Sequence, residues 1–227
     1  MRTVAAYALA LVLVVAPALS KETLNAAYYL PPGTVDLTLL LAPPPDVDSP
    51  LQQYDEKKIA DALAERTSAD LVRAAADAHR SVFVFSDVLG NGFAAERVPL
   101  TATLFRRVGG DVAVLIEQAK AHFGRPRPVG APQTHGSYPS GHAAFAACAA
   151  ILLSQMVPEK RRTIFARAST YAEGRIVAGV HYPSDIEAGW ISGTVIAAAL
   201  LRQPRFEADF GAAKAEVRGV LRLPEVR

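Results

Sequence analysis

Apolar and polar residues fall in this chain into long helix-favouring stretches, each opened or closed by proline, glycine or a capping side chain, with no convincing strand pattern and no internal repeat. Ser49-Pro50-Leu51-Gln52 combines an N-cap, proline at the first helical position and capping-box spacing, which predicts a helix running to about Arg66. Ser68 begins another, and Ala69 to about Leu89 favours helix until Gly90-Asn91-Gly92 breaks it. Pro99 opens a helix reaching about Phe123, with a weak point at Gly109-Gly110, and Pro126 and Pro128 stop it. Further helices are expected over Gly141 to Val157, Glu159 to about Glu173, Ser184 to Arg202 and Pro204 to about Arg218. Ahead of them, Lys21 to Pro50 is Pro-rich and reads as an extended arm packed across the body and pinned by Leu37 to Leu41. The expected fold is all-α: a single-domain helical bundle over residues 51-227 carrying the Pro-rich arm 21-50.

Composition and targeting bound the picture. A chain of 227 residues with no linker composition suits one domain, which buries roughly 70% of its unfolded surface. Arg2, the apolar run Val4 to Val15 and then Ala16-Pro17-Ala18-Leu19-Ser20 read as a secretory signal over residues 1-20, cut near Ser20, and imply a periplasmic or secreted protein. The run is shorter than the ~20 residues a membrane span needs, and Pro17 interrupts its end. Two later apolar stretches, Ala143 to Val157 and Ile186 to Leu201, read as core helices, because the first has only fifteen residues and the second carries Glu187 in its first turn. Stable membrane insertion is therefore not expected. The formal charge of +2 falls to +1 once Arg2 is removed, which predicts no broad nucleic-acid surface. Cys148, the single cysteine, sits among alanines and reads as a buried small residue. Self-association into a homo-oligomer is compatible with this composition.

Three clusters of polar residues interrupt the apolar helices between Lys120 and Asp185. Lys120 with Arg127, Ser140-Gly141-His142, and Arg175 with His181 and Asp185 together supply three cations, a backbone anion site, two imidazoles and a carboxylate. Arg127 and Arg175 offer planar forks that match phosphate oxygens two at a time, and Lys120 adds a compact charge. Pro126 and Pro128 place Arg127 in an extended segment, so its side chain can turn back towards a pocket. Ser140 reads as the N-cap of the following helix and Gly141 as the point of close backbone approach, so free amides and the helix dipole face an anion. Ser184 and Glu187 have capping-box spacing, which places Asp185 in a first helical turn where it can orient His181. A carboxylate on one imidazole nitrogen leaves the other free to attack, which makes His181 the expected nucleophile.

The stretches KAHFGRPRP from Lys120, GSYPSGH from Gly136 and GRIVAGVHYPSD from Gly174 resemble the three-part signature of the type 2 phosphatidic acid phosphatase (PAP2) superfamily, shared with vanadium haloperoxidases. Six residues separate Lys120 from Arg127, five separate Arg175 from His181, and three separate His181 from Asp185, all as in the signature. GSYPSGH, with the signal segment and the Pro-rich start, is most similar to the bacterial class A non-specific acid phosphatases. Two departures stand out: Gly174 replaces the usual serine beside the arginine, and the ten residues between Pro128 and Pro139 make a short loop. HYPSD is also shared with membrane lipid phosphatases, which keeps a lipid substrate in view.

The resemblance implies a secreted acid phosphatase that acts on small phosphate monoesters through a phosphohistidine on His181, with His142 as general acid, Asp185 orienting His181, and Lys120, Arg127, Ser140, Gly141 and Arg175 holding the phosphate. It also implies an acid optimum. No HExxH-type spacing occurs, so no metal and no cofactor are expected. Ser140 lacks the GxSxG surroundings of a hydrolase nucleophile, which leaves it a phosphate-binding role. Alternatives are a vanadium-dependent haloperoxidase, a lipid or pyrophosphate phosphatase, and a phosphate-binding protein without catalysis. His79 and His122 read as solvated. His135 lies in the loop before the second cluster, and Tyr138 is either an entrance ring or an ordinary packing tyrosine.

Overall fold

The computed structural model describes residues 27–224, so the signal segment read at residues 1-20 lies outside the described residues. Among those described there is no strand, and the fold is an all-α bundle. Its order is α1 (Leu37–Leu40), α2 (Pro50–Glu65), α3 (Ser68–Ala76), α4 (Ser86–Leu89), α5 (Pro99–Phe123), α6 (Gly141–Met156), α7 (Arg161–Val177), α8 (Pro183–Leu200) and α9 (Pro204–Val220). Short 3-10 turns at Val82–Phe85 and Pro158–Lys160 lead into α4 and α7. No helix among the described residues is long and apolar enough to cross a membrane.

Helix α6 is apolar all round because protein surrounds it: α8 and α7 flank it most closely, and α5 and α9 complete the cover. The closest of these approaches rests on two glycines. A Cβ on Gly189 would stand 2.6 Å from the Ser140 carbonyl oxygen, and one on Gly193 would overlap the Ala144 carbonyl. The two backbones therefore meet where any side chain would hold them apart, and the Ser140 amide donates to the Asp185 carbonyl across the gap at 2.9 Å. This bond ties the N-terminus of α6 to that of α8, which brings the second and third polar clusters together.

Most predicted elements appear at their expected places, and three differ. The helix expected from Ala69 to about Leu89 is broken after Ala76. Buried Asp77 turns there to take both terminal nitrogens of Arg167, at 2.6 and 3.0 Å. Carbonyls freed by the break accept from distant side chains: Ala78 from His142, His79 from Tyr171 and Ala74 from Arg175. Helix α7 runs past Glu173 to Val177, which puts Arg175 inside its last turn. At the start of α8 the cap is formed by Asp185, whose carboxylate accepts the Tyr182 amide at 2.8 Å, rather than by Ser184 with Glu187. Ser184 donates instead, from both its amide and its hydroxyl, to Asp55 of α2.

The Gly109-Gly110 pair does not interrupt α5, because burial of its apolar face outweighs about 2 kcal/mol of lost helix propensity. Asp111, buried on the same helix, accepts the amides of Tyr28, Tyr29 and Leu30 and so fastens the arm. Leu37 and Leu41 are buried, while Leu39 and Leu40 are exposed.

Candidate active site

Four helix ends and one loop converge on a single site. Helix α5 supplies Lys120 from its last turn and then closes on Gly124 in the left-handed region at φ 60°, which turns the chain into the extended Arg125-Pro128 segment. The Arg127 side chain folds back as expected: Nη1 donates to the Val180 carbonyl at 2.8 Å, Nε donates to the His135 carbonyl at 3.0 Å, and Nη1 lies 3.5 Å from His181 Nε2. Ser140 caps α6 by accepting the Ala143 amide at 3.4 Å, and Gly141 begins the helix. The last turn of α7 delivers Arg175, and the first turn of α8 delivers Asp185 beside His181.

His181 is all but sealed at 2% exposure and Asp185 fully sealed at 0%. The imidazole Nδ1 lies 3.3 Å from Asp185 Oδ2. A carboxylate only accepts, so Nδ1 carries the proton and Nε2 presents its lone pair. Burial lowers the His181 pKa, the Asp185 carboxylate opposes that shift, and the Arg127 and Lys120 charges add to it. The shift favours the neutral ring, and the Asp185 contact holds it in one tautomer.

His142 is fixed in the complementary sense. Its Nε2 is 2.9 Å from the Ala78 carbonyl, which can only accept, so Nε2 keeps its proton and Nδ1 is the atom that titrates. Burial, then the charges of Arg175, His181 and Arg80, push its pKa down to about 3, against the hydrogen bond to Ala78. His181 thus lies close enough to His142 to influence its titration. Lys120 and Arg175 are also held below their ordinary values by burial, as is Arg127. Glu117, 3.9 Å from the Lys120 ammonium, and Asp185 offset this positive charge only in part, and a bound oxyanion would add to them.

Arg175 sharpens this. One terminal nitrogen donates to the Ala74 carbonyl, but the buried Nε has no acceptor, the one such side-chain atom among the described residues. Leaving a buried donor unsatisfied costs about 1–3 kcal/mol, more at a charged group. Gly174 beside it has open space where a serine side chain would stand, so the departure from the usual signature creates no clash and no compensating contact.

The sequence reading missed a hub beneath the site. Arg125, two residues before Arg127, is buried and donates to Asp185 Oδ1 at 2.6 Å, to Asp55 at 2.8 Å, to Gln52 at 2.6 Å and to Ser184 at 2.8 Å. Asp185 is therefore shared between an imidazole and a guanidinium. Asp55 gave no signal, because QQYDEKK reads as a solvated helix face. Ser137 donates to the Pro126 carbonyl at 3.0 Å and holds the middle loop against the first segment. Tyr138 packs edge-on to Phe123, and its hydroxyl donates to the Ala42 carbonyl at 2.7 Å, so it is a packing residue. His135 is exposed, with Nδ1 3.7 Å from Glu117, and His79 and His122 are exposed too. Cys148 is fully buried, which raises its thiol pKa strongly.

An all-α bundle in which helix ends gather cations and two tautomerically fixed imidazoles defines a helical enzyme of the phosphatase class. A family model described as the PAP2 superfamily matches residues 100–208, which span the first cluster, the second and the third. The non-specific acid phosphatase of Salmonella typhimurium is 30% identical, over 90% of this chain and 89% of the relative. The acid phosphatase of Zymomonas mobilis is 30% identical over 80% and 75%, and the non-specific acid phosphatase of Providencia stuartii 30% over 83% and 84%. Among solved structures, a transmembrane PAP2 type phosphatidylglycerolphosphate phosphatase from Bacillus subtilis superposes with a TM-score of 0.51 over 71% of this chain and 87% of that one, at 22% identity, a likeness of fold. The chain belongs to the PAP2 superfamily, in its branch of bacterial acid phosphatases.

Proposed function

We propose that this chain is an exported acid phosphatase that hydrolyses small phosphate monoesters through a phosphohistidine on His181. The observation that carries it is the unpartnered, buried Nε of Arg175, whose charge acts on His142 and which an oxyanion would satisfy. Export rests on Arg2 and the apolar run that follows.

His181 Nε2 attacks phosphorus, and the ester P–O bond breaks with its electrons passing to the alcohol oxygen. That oxygen takes the proton of His142 Nδ1. Water then attacks the phosphohistidine, gives a proton back to Nδ1 and releases phosphate, which restores both imidazoles. Lys120, Arg127, Arg175 and the Gly141 amide carry the charge that spreads over the equatorial oxygens, while the Ser140 amide stays committed to the Asp185 carbonyl. Asp185 fixes the His181 tautomer, and Arg125 fixes Asp185.

A general acid must be protonated, whereas burial holds His142 neutral down to about pH 3. The substrate resolves this, because a phosphate dianion beside Nδ1 raises its pKa, and a monoanion brings its own proton. Either route favours acid pH. The test is hydrolysis of an aryl phosphate from pH 4 to 8, with and without chelator, followed by label trapping on histidine. The reading expects a bell-shaped acid optimum, unchanged rates with chelator and label on His181. Strong inhibition by chelator, or rapid turnover with no labelled histidine, would overturn it.

A further inference from the structure

A cleft of about 410 Å³ opens along α5 beside the phosphate site, a size that suits a small ligand. It runs over Ala102, Gly109, Gly110 and Ala113, about 16 Å along the helix, with Phe105 and Phe145 as floor and Phe83 beside them. Its head reaches the cradle through one side chain. Arg80 lines the cleft, and its Nη1 lies 3.4 Å from where a Cβ on Gly141 would stand, as Ile116 does at 3.5 Å. From that point each wall continues by one helical turn, Gly141 to Phe145 on α6 and Ile116 to Ala113 on α5.

Two further observations point to an occupant. Gly109 and Gly110 sit in the middle of a 25-residue helix, and a Cβ on Gly110 would meet no protein atom within 4 Å. Protein packing does not require that glycine, although it costs helix stability; its effect is to keep the cleft open. The second observation is charge. Arg80 and Arg106 both line the cleft, and neither has an ion pair or a side-chain hydrogen bond among the described residues. Arg80 is also one of the charges acting on both His142 and Lys120, which sets the head of the cleft beside the proton donor and the phosphate cradle together.

We propose that this cleft is the leaving-group subsite, and that it takes a flat, aryl-type alcohol carrying a second anionic group held by Arg106. The proposal rests on the acid phosphatase reading of the cradle. Aromatic walls supply the contact for the ring, and Arg106 supplies the selectivity for an anion at its far end.

Binding of non-hydrolysable phosphonates to the full chain, measured by titration calorimetry, tests this independently of turnover. Inorganic phosphate, benzylphosphonate and (6-carboxynaphthalen-2-yl)methylphosphonate serve as probes. The carboxynaphthyl compound is expected to bind at least about tenfold more tightly than benzylphosphonate. Gly110→Leu, which fills the cleft from an exposed helix position, is expected to abolish that advantage while phosphate affinity stays within about twofold. Arg106→Gln is expected to cost about tenfold for the carboxylated probe and little for its uncharged naphthyl counterpart. Equal binding of the two phosphonates to the unaltered chain, or an unchanged ratio in folded Gly110→Leu, overturns the subsite while leaving the cradle intact. Failure of all three probes, phosphate included, overturns the phosphatase reading as well.

Discussion

Helix α6 meets its neighbours in two ways, and glycine marks both. Along α8, Gly189 and Gly193 are spaces that the protein fills: a methyl group at either would collide with the backbone of α6. Along α5, Gly110 is a space that the protein leaves empty. The first seam is tightly shut, and it sets the distance between the N-terminus of α6 and the His181-Asp185 pair. The second is open and leads away from the same helix end. One helix thus carries a fixed wall on one side and a vacant channel on the other, the arrangement expected where chemistry must be held rigid while the substrate body varies.

The comparison can be broken most severely at the head of the closed seam. His181→Ala removes the attacking atom and is expected to lower turnover of an aryl phosphate at least about a thousandfold, with helix content by circular dichroism unchanged. Near-normal turnover would exclude a phosphohistidine. Gly193→Ala attacks the seam itself. Overpacking against Ala144 and Ala147 is expected to cost about 2 kcal/mol net of improved helix propensity, a fall in Tm of roughly 4–8 °C.

Acid separates the rigid side by charge. The folded pKa of His142 lies well below its ordinary value and that of His181 is lowered too, so the unfolded chain binds protons that the buried folded rings refuse. Both histidines therefore make stability fall as the pH drops from about 6.5, for His142 continuing towards about 3, and the stability they withdraw is fully regained above that window. Inorganic phosphate, whose charge favours the imidazolium forms, is expected to raise Tm more at pH 5 than at pH 7. His142→Asn, which keeps an amide donor for Ala78, is expected to shrink that difference; an unchanged difference would remove His142 from the anion site.

The smallest effect belongs to the open side. Gly110→Ala meets no neighbour and is expected to raise Tm by about 2 °C through helix propensity alone. A loss of stability there would mean that the glycine serves packing and that the two seams are alike.

Much of this was legible from short-range chemistry. Caps, prolines and apolar length gave α2, α5, α6, α8 and α9 nearly to their ends, because those signals act within one helical turn of the residue that carries them. The cluster spacings likewise put Lys120, Arg127, Ser140, Gly141, His142, Arg175, His181 and Asp185 forward as one site, and the fold gathers their segments. What the chain could not show locally was any partner far away in sequence. The break after Ala76 follows from Arg167 pulling on Asp77 from 90 residues on, and the Arg125 hub needs Asp55 from 70 residues back.

By itself, then, the sequence determined an all-α chain, the helix ends at which its charged residues would lie, and the membership of those residues in three matched clusters. Only the tertiary structure decided which nitrogen of each imidazole is committed, that Asp185 is shared with Arg125, and that a channel lies open above Gly110. The reason is physical. Helix caps and periodicity are set by neighbours within a turn, whereas tautomers, buried charge and empty space are set by which backbone carbonyls and side chains the packed helices bring within a few ångströms.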